Sequence, residues 1–417
     1  MRLSALIASI LLLTCLEVHA SDKIDRRLLE LTVGDTKYQG RQLVSDQEVC
    51  WMLERTGRLR NIELDQVTEF KQIGNVYRPF STNEMRTQLL TEFGRKFEAE
   101  ARGSHVVVAP TGKAKACADI VEATARSFTS YFNRRNFKLD KIEAPIVTIV
   151  FPTQADFVAY CEKEQLTRTK GLRGYYSPTT NRVALYLDHH ATAAKSVTAD
   201  MTQPLTDFTQ LRGPTAPLML QTHFGSPQSA SNFRDTLTHE TTHQMGFNCG
   251  LHCRLGDDPT WVVEGMAMLF EGDSNRDDTQ TKTTVIQRMN RERFVWFQEY
   301  CQSRRQPKSL EEFLTTDAMF TSATLDAYSE AWALTFFLAE TRPSNLSGYL
   351  KKLANRSDLG EYTPMKRLND FKASFGRDLQ QLEMQYLRFI REIELPTPVE
   401  ASTDPLKSFK VPPVNLP

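Results

Sequence analysis

The chain has 417 residues, and its 51 lysines and arginines balance 51 aspartates and glutamates. Zero net charge argues against a nucleic-acid footprint, which calls for a basic face. The length supplies a small domain beside a larger one with ample material for a core.

Residues 1–20 read as a signal peptide: Arg2, an apolar run over 3–13, then Val18-His19-Ala20 with small residues at the cleavage positions. The expectation is a secreted or periplasmic protein maturing at Ser21. Leu12-Leu13-Thr14-Cys15 loosely resembles a lipid-attachment box, but Thr14 is a poor residue before the cysteine, so a lipid anchor is disfavoured. The apolar run is too short to span a membrane, and no later segment is apolar enough to do so.

Residues 21–100 read as a small β module followed by a helical linker. Short strands and turns fill 28–74, with a hairpin of 48–54 and 59–64 turning at Gly57. Residues 78–101 read as a polar helix with Leu89, Leu90 and Phe93 as its apolar stripe. The main domain is expected over 101–395. It begins with a strand at 105–109, a helix at 113–132, a strand at 145–151 and a helix through Phe157 and Cys161. A strand, a turn at 177–181 and another strand follow within 171–187. This βαβ-then-hairpin order suits a mixed sheet packed on helices.

A polar insertion at 191–231, broken by Pro204, Pro214, Pro217 and Pro227, either covers a cleft or is a surface elaboration. Beyond the central motif the chain reads as helices at 284–305, 310–314, 327–339, 346–353 and 368–393. A Pro-rich tail at 396–417 ends it.

The chemistry is concentrated in Thr236–Gly246 and its sequel Pro259–Ala267. His239-Glu240-x-x-His243 is a match to the H-E-x-x-H zinc signature. Residues four apart share a helix face, so both imidazoles reach one ion, and Glu240 can act as general base towards a water. Catalytic zinc takes three protein ligands. Glu264, in a second helix after a loop, is the candidate third, brought in by antiparallel packing. A rival is Cys249, since His239-x3-His243-x2-Gly246-x2-Cys249 has metzincin spacing with cysteine in place of histidine.

His239, Glu240, His243, Trp261, Glu264, Gly265 and Ala267 together resemble the gluzincin (peptidase MA-like) metallopeptidases. The likeness is closest to secreted bacterial zincins of undefined function, and extends over about 104–395. It implies an α+β zincin-like domain with a mixed-sheet upper lobe and a helical lower lobe, whose edge strand beside the cleft pairs with an extended peptide. It also implies that a tyrosine leading a buried helix, here Tyr328, stands by the metal and supports an oxyanion; a core tyrosine satisfied locally is the alternative.

His189 and His190 point opposite ways on an extended segment, so they are expected at the surface. Without Cys15, six cysteines remain (Cys50, Cys117, Cys161, Cys249, Cys253 and Cys301), an even set compatible with disulfides in an exported chain. A metal knuckle of Cys249, His252 and Cys253 lacks further ligands.

The expected function is a secreted hydrolase holding one Zn2+ per chain and cleaving peptide or protein substrates, with Glu240 and Tyr328 catalytic. The alternatives are a catalytically idle zinc-binding envelope protein and a metal-dependent cell-wall amidase.

Overall fold

The computed structural model describes residues 26–166, 171–187, 233–272, 284–356 and 361–394. The expected signal peptide with Cys15, the 191–231 insertion, His189 and His190, and the 396–417 tail lie outside these residues.

Five short strands form an N-terminal antiparallel sheet: β1 (Leu28–Val33), β2 (Thr36–Ser45), β3 (Val49–Glu54), β4 (Leu59–Glu63) and β5 (Val67–Gly74). Their order is β4-β3-β2-β1-β5, and a 3-10 turn at Leu64–Gln66 carries the chain from β4 across to the free side of β1. Alternate residues of neighbouring strands, Leu29 and Leu31, Cys50 and Met52, and Ile62, bury one face. The expected hairpin is β3–β4, with Gly57 in its turn at a φ of 82°.

The helix expected over 78–101 is shorter than its composition suggests. α1 (Thr82–Phe93) opens with a capping box between Ser81 and Glu84 and ends at Gly94, whose φ of 75° stops the helix. Phe97–Arg102 is then a strand, β6, paired antiparallel with β7 (His105–Pro110). Alanine and glutamate favour helix locally, but Phe-Glu-Ala-Glu-Ala-Arg also alternates, and tertiary pairing decides. Ala99 is buried in the same apolar cluster as Met85 and Leu89 of α1.

The second sheet adds β8 (Ile146–Phe151), β9 (Gly174–Ser177) and β10 (Arg182–Tyr186) in the order β6-β7-β8-β10-β9. The inner pairs β7–β8 and β8–β10 are parallel, and both edge pairs are antiparallel. α2 (Ala114–Arg134) joins β7 to β8, and α3 (Gln154–Lys163) follows β8. Both faces are covered, which is why the strands read as apolar runs. Val106, Val108, Val147 and Ile149 cluster with α1 and α3. Val107, Ile146, Val150, Val183 and Leu185 cluster with α2 and the helices beyond.

The rest is helical: α4 (Phe233–Asn248), α5 (Thr260–Met268), α6 (Val285–Arg288), α7 (Arg291–Ser303), α8 (Leu310–Thr315), α9 (Met319–Ser322), α10 (Thr324–Thr341), α11 (Pro343–Ala354), α12 (Pro364–Phe375) and α13 (Leu379–Arg391). The architecture is α+β, with a mixed-sheet lobe above and a helical lobe below. Two expected single helices are each broken. Asn290 accepts from the Arg293 N–H at 3.1 Å and starts α7 afresh, and Asp378 caps α13 in the same way. α10 is buried throughout Ala327–Ala339 and forms the centre of the helical lobe.

Among the described residues no disulfide joins Cys50, Cys117, Cys161, Cys249, Cys253 and Cys301 to one another. The expected bridges are therefore corrected. Cys50, Cys117 and Cys161 are buried on three different elements, and Cys249 belongs to the apolar core. Burial pushes the Cys249 thiol up to about 12, so it behaves as a small apolar side chain.

Candidate metal centre

α4 is a polar sequence in an apolar setting. Every residue from Thr236 to Phe247 is buried, and such burial is tolerable only where polar groups find partners. Thr242 Oγ1 donates to the Thr238 carbonyl at 2.8 Å. Gln244 Nε2 donates to the carbonyls of Val147 and Asn181, both at 3.0 Å, fastening α4 to the sheet. At its C-terminal end Asn248 Nδ2 donates to Asn181 Oδ1 at 2.7 Å, and Tyr176 Oη donates to the same oxygen at 2.9 Å. α4 is thus held by hydrogen bonds from its middle to its end, with His239 and His243 presented from a fixed helix.

Glu264 comes from α5. The first N–H of α5, on Thr260, donates to Asp317 Oδ1 at 3.0 Å, and Arg367 Nη1 donates to Asp317 Oδ2 at 2.7 Å. α10 packs against α5 so closely that a Cβ on Gly265 would stand 2.0 Å from Thr335 Oγ1 and 2.6 Å from the Ala331 carbonyl. Only glycine allows that approach, and the residue before it is Glu264.

Three buried donor atoms converge. His239 Nε2 and His243 Nε2 are 2.9 Å apart, and Glu264 Oε2 lies 3.3 Å from the first and 3.6 Å from the second. Among the described residues this is the one group of at least three potential ligands that meets the spacing of a metal site. Zinc bonds of about 2.0–2.1 Å in tetrahedral geometry put neighbouring donors about 3.3 Å apart, a value these three distances bracket. Neither Glu264 oxygen has a hydrogen bond, although the residue is fully buried. A buried carboxylate without donors is costly unless a cation meets it.

Charge points the same way. Burial opposes ionisation of Glu264, yet the two imidazoles hold its pKa below the usual carboxylate range. Burial would also lower His239, but the Glu264 and Glu271 carboxylates outweigh it and raise it to about 10. At His243 burial prevails and the pKa falls. The cluster calls for positive charge, which a divalent cation would supply in place of a proton on His239.

Glu271, just beyond α5, had no role in the sequence reading. Its Oε1 accepts from His239 Nδ1 at 2.7 Å, and its Oε2 accepts from Asn290 Nδ2 at 2.6 Å, with Arg293 Nε 4.0 Å from the same oxygen. This bond fixes the ring so that Nε2 of His239 faces the cluster, as carboxylates behind metal-binding histidines do. The seven-residue spacing from Glu264 is the one signal that could have suggested it.

Glu240 is fully buried beside His239. Tyr328, 7% exposed near the start of α10, lies against Phe320 and under the Arg293 guanidinium. Burial first, then the Glu264 carboxylate and, more weakly, Glu240 and Glu271, push its pKa well above normal, so the phenol keeps its proton. Cys249 is not in the converging set. His252, the other half of the supposed knuckle, is buried with its ring against Gly246 and Phe247, and burial lowers its pKa to about 3.

Residues 234–360 match a family described as a protein of unknown function (DUF1570). That interval holds His239, Glu240, His243, Glu264, Glu271 and Tyr328. No curated protein matches the chain. Among solved structures, it is similar to a mutant M1 zinc metallopeptidase from Deinococcus radiodurans, at a TM-score of 0.35 and 11% identity. The similarity covers 73% of this chain and 53% of the other, so the chain spans about half the length of that protein. Such a distant likeness adds nothing to the geometry above.

Proposed function

We propose that this chain is a zinc-dependent hydrolase acting on peptide bonds. The observation that carries the reading is the buried, hydrogen-bond-free Glu264 carboxylate facing two imidazole nitrogens 2.9 Å apart. His239, His243 and Glu264 would hold the ion, and Glu271 would orient His239. When bound, zinc supplies Lewis-acid polarisation of a carbonyl and acidifies water to a pKa of about 7. Glu240 accepts the proton of the attacking water and passes it to the departing amine. Tyr328, kept protonated by burial and by the Glu264 carboxylate, donates a hydrogen bond to the oxyanion. A purely structural metal site needs no buried carboxylate beside its first ligand, which favours the hydrolase over an idle zinc protein.

The test is Glu240→Gln, which preserves shape and all three proposed ligands. Zinc content and folding should match wild type, while turnover of casein or a peptide library falls about a hundred- to ten-thousand-fold. Full activity in that variant would remove Glu240 from the role of base. Absence of hydrolysis by zinc-loaded wild type would favour the idle binding protein. Export rests on residues 1–20 alone, and N-terminal sequencing of the mature protein checks it, with Ser21 the expected first residue.

A further inference from the structure

Three carboxylates gather at the metal centre, on Glu240, Glu264 and Glu271, and the Arg293 guanidinium comes beside them from the first turn of α7. The Asn290 cap holds the Arg293 N–H at 3.1 Å, so the side chain leaves the helix from a set position. The guanidinium lies over the Tyr328 ring, 5.7 Å from its centre, and Nε stands 4.0 Å from Glu271 Oε2. That separation is attractive but too long for a hydrogen bond, which spans about 2.7–3.2 Å. Asn290 Nδ2 already serves that oxygen at 2.6 Å.

A guanidinium presents N–H donors in a planar fork that matches a carboxylate. Those of Arg293 make no hydrogen bond to the described residues. None of its nitrogens is both sealed and unpaired, so the unpaired ones reach solvent through the 8% of the side chain left open. Arg305 and Arg367, buried about as deeply, are spent on carboxylates of the protein. Arg305 Nη2 donates to Glu330 Oε1 at 2.8 Å and pairs with Glu383 at 2.7 Å, while Arg367 Nη1 donates to Asp317 at 2.7 Å. Balancing the charge of Glu271 would call for a cation but not for an unspent fork. A nearly buried guanidinium with open donors, set between the carboxylate behind His239 and the ring of Tyr328, is an anion site that the protein itself leaves unfilled.

We propose that Arg293 selects the substrate by gripping a carboxylate that the peptide carries close to the cleaved bond. The inference rests on the hydrolase reading, in which zinc places that bond. The carboxylate has two sources, the C-terminus of a short peptide or the side chain of an aspartate or glutamate.

The test is calorimetry of the zinc-loaded full-length protein with malonyl hydroxamates, which bind the ion through the hydroxamate and need no turnover. The alanine derivative is compared as free acid and as amide, and the aspartate amide with the asparagine amide. At least one acid should bind about tenfold or more tighter than its neutral match, the worth of a charge-assisted hydrogen bond. The pair that shows the advantage names the source. Arg293→Met should erase it, and Arg293→Lys, which keeps the charge without the fork, should keep part. The ratio within a pair cancels any change in folding or zinc affinity, so a purely structural Arg293 would leave it unmoved. Two results would overturn the proposal and spare the hydrolase reading: equal binding within both pairs, or an advantage undiminished in Arg293→Met. Acetohydroxamate failing to bind at all would strike the zinc reading, and this inference with it.

Discussion

His239 is gripped at both ring nitrogens, by Glu271 on Nδ1 at 2.7 Å and by the cluster of His243 and Glu264 on Nε2. The two grips make different predictions. Removing a ligand, as in His239→Ala or His243→Ala, should abolish stoichiometric zinc binding. Glu271→Ala leaves three ligands but frees the ring to rotate, and should weaken zinc affinity about 10–100-fold, read by competition with a chelating dye. Unchanged affinity would reduce Glu271 to a packing residue. Cys249→Ser provides the contrast: a buried thiol outside the converging set can be replaced without changing metal content. Zinc lost on that change and kept in Glu264→Ala would reverse the assignment of the third ligand.

Glu264 reaches the site because α5 and α10 nearly touch at Gly265. A methyl there would meet Thr335 Oγ1 at 2.0 Å and the Ala331 carbonyl at 2.6 Å. Gly265→Ala should therefore destabilise the fold by about 1–3 kcal/mol, visible in thermal denaturation. Adding Thr335→Ala should restore only part, since the carbonyl obstacle is backbone. Full recovery would show that the side chain alone set the separation. The elements that carry the site were legible in the sequence, because His239 and His243 are four apart on one helix and Glu264 follows in a strongly apolar run. What was hidden depends on packing. Phe97–Arg102 has helix-favouring residues and becomes a strand only because β7 pairs with it. Glu271 lies beyond the end of α5, so its seven-residue spacing from Glu264 is only a weak mark, and its second partner, Asn290 at the start of α7, comes from a distant part of the chain. The buried thiols, read as bridge partners from their even number, are scattered over separate elements, which spacing in sequence does not reveal.

Across the whole molecule, the N-terminal sheet is fastened to the loop that follows the metal helix. Arg254 donates to the Gly57 carbonyl from Nη2 and to the Pro178 carbonyl from Nε, both at 2.8 Å, and the Leu59 N–H donates to the Thr179 carbonyl at 2.7 Å. Arg41 adds a two-pronged bond to Glu143 at 2.9 and 2.7 Å. Arg254→Met keeps the packing but leaves those carbonyls without a donor, at a cost of about 1–3 kcal/mol. Amide exchange should rise in β3, β4 and the β9–β10 turn together; a rise confined to one side would mean the modules are joined by other contacts. The proposed chemistry requires that His239, His243 and Glu264 converge around a cation. Mass spectrometry of metal content, on protein dialysed against limiting zinc beside a Glu264→Ala sample, tests it most directly. About one zinc per chain in the wild type and a severe loss in the variant are expected; a metal-free wild type, or equal zinc in both, would contradict it.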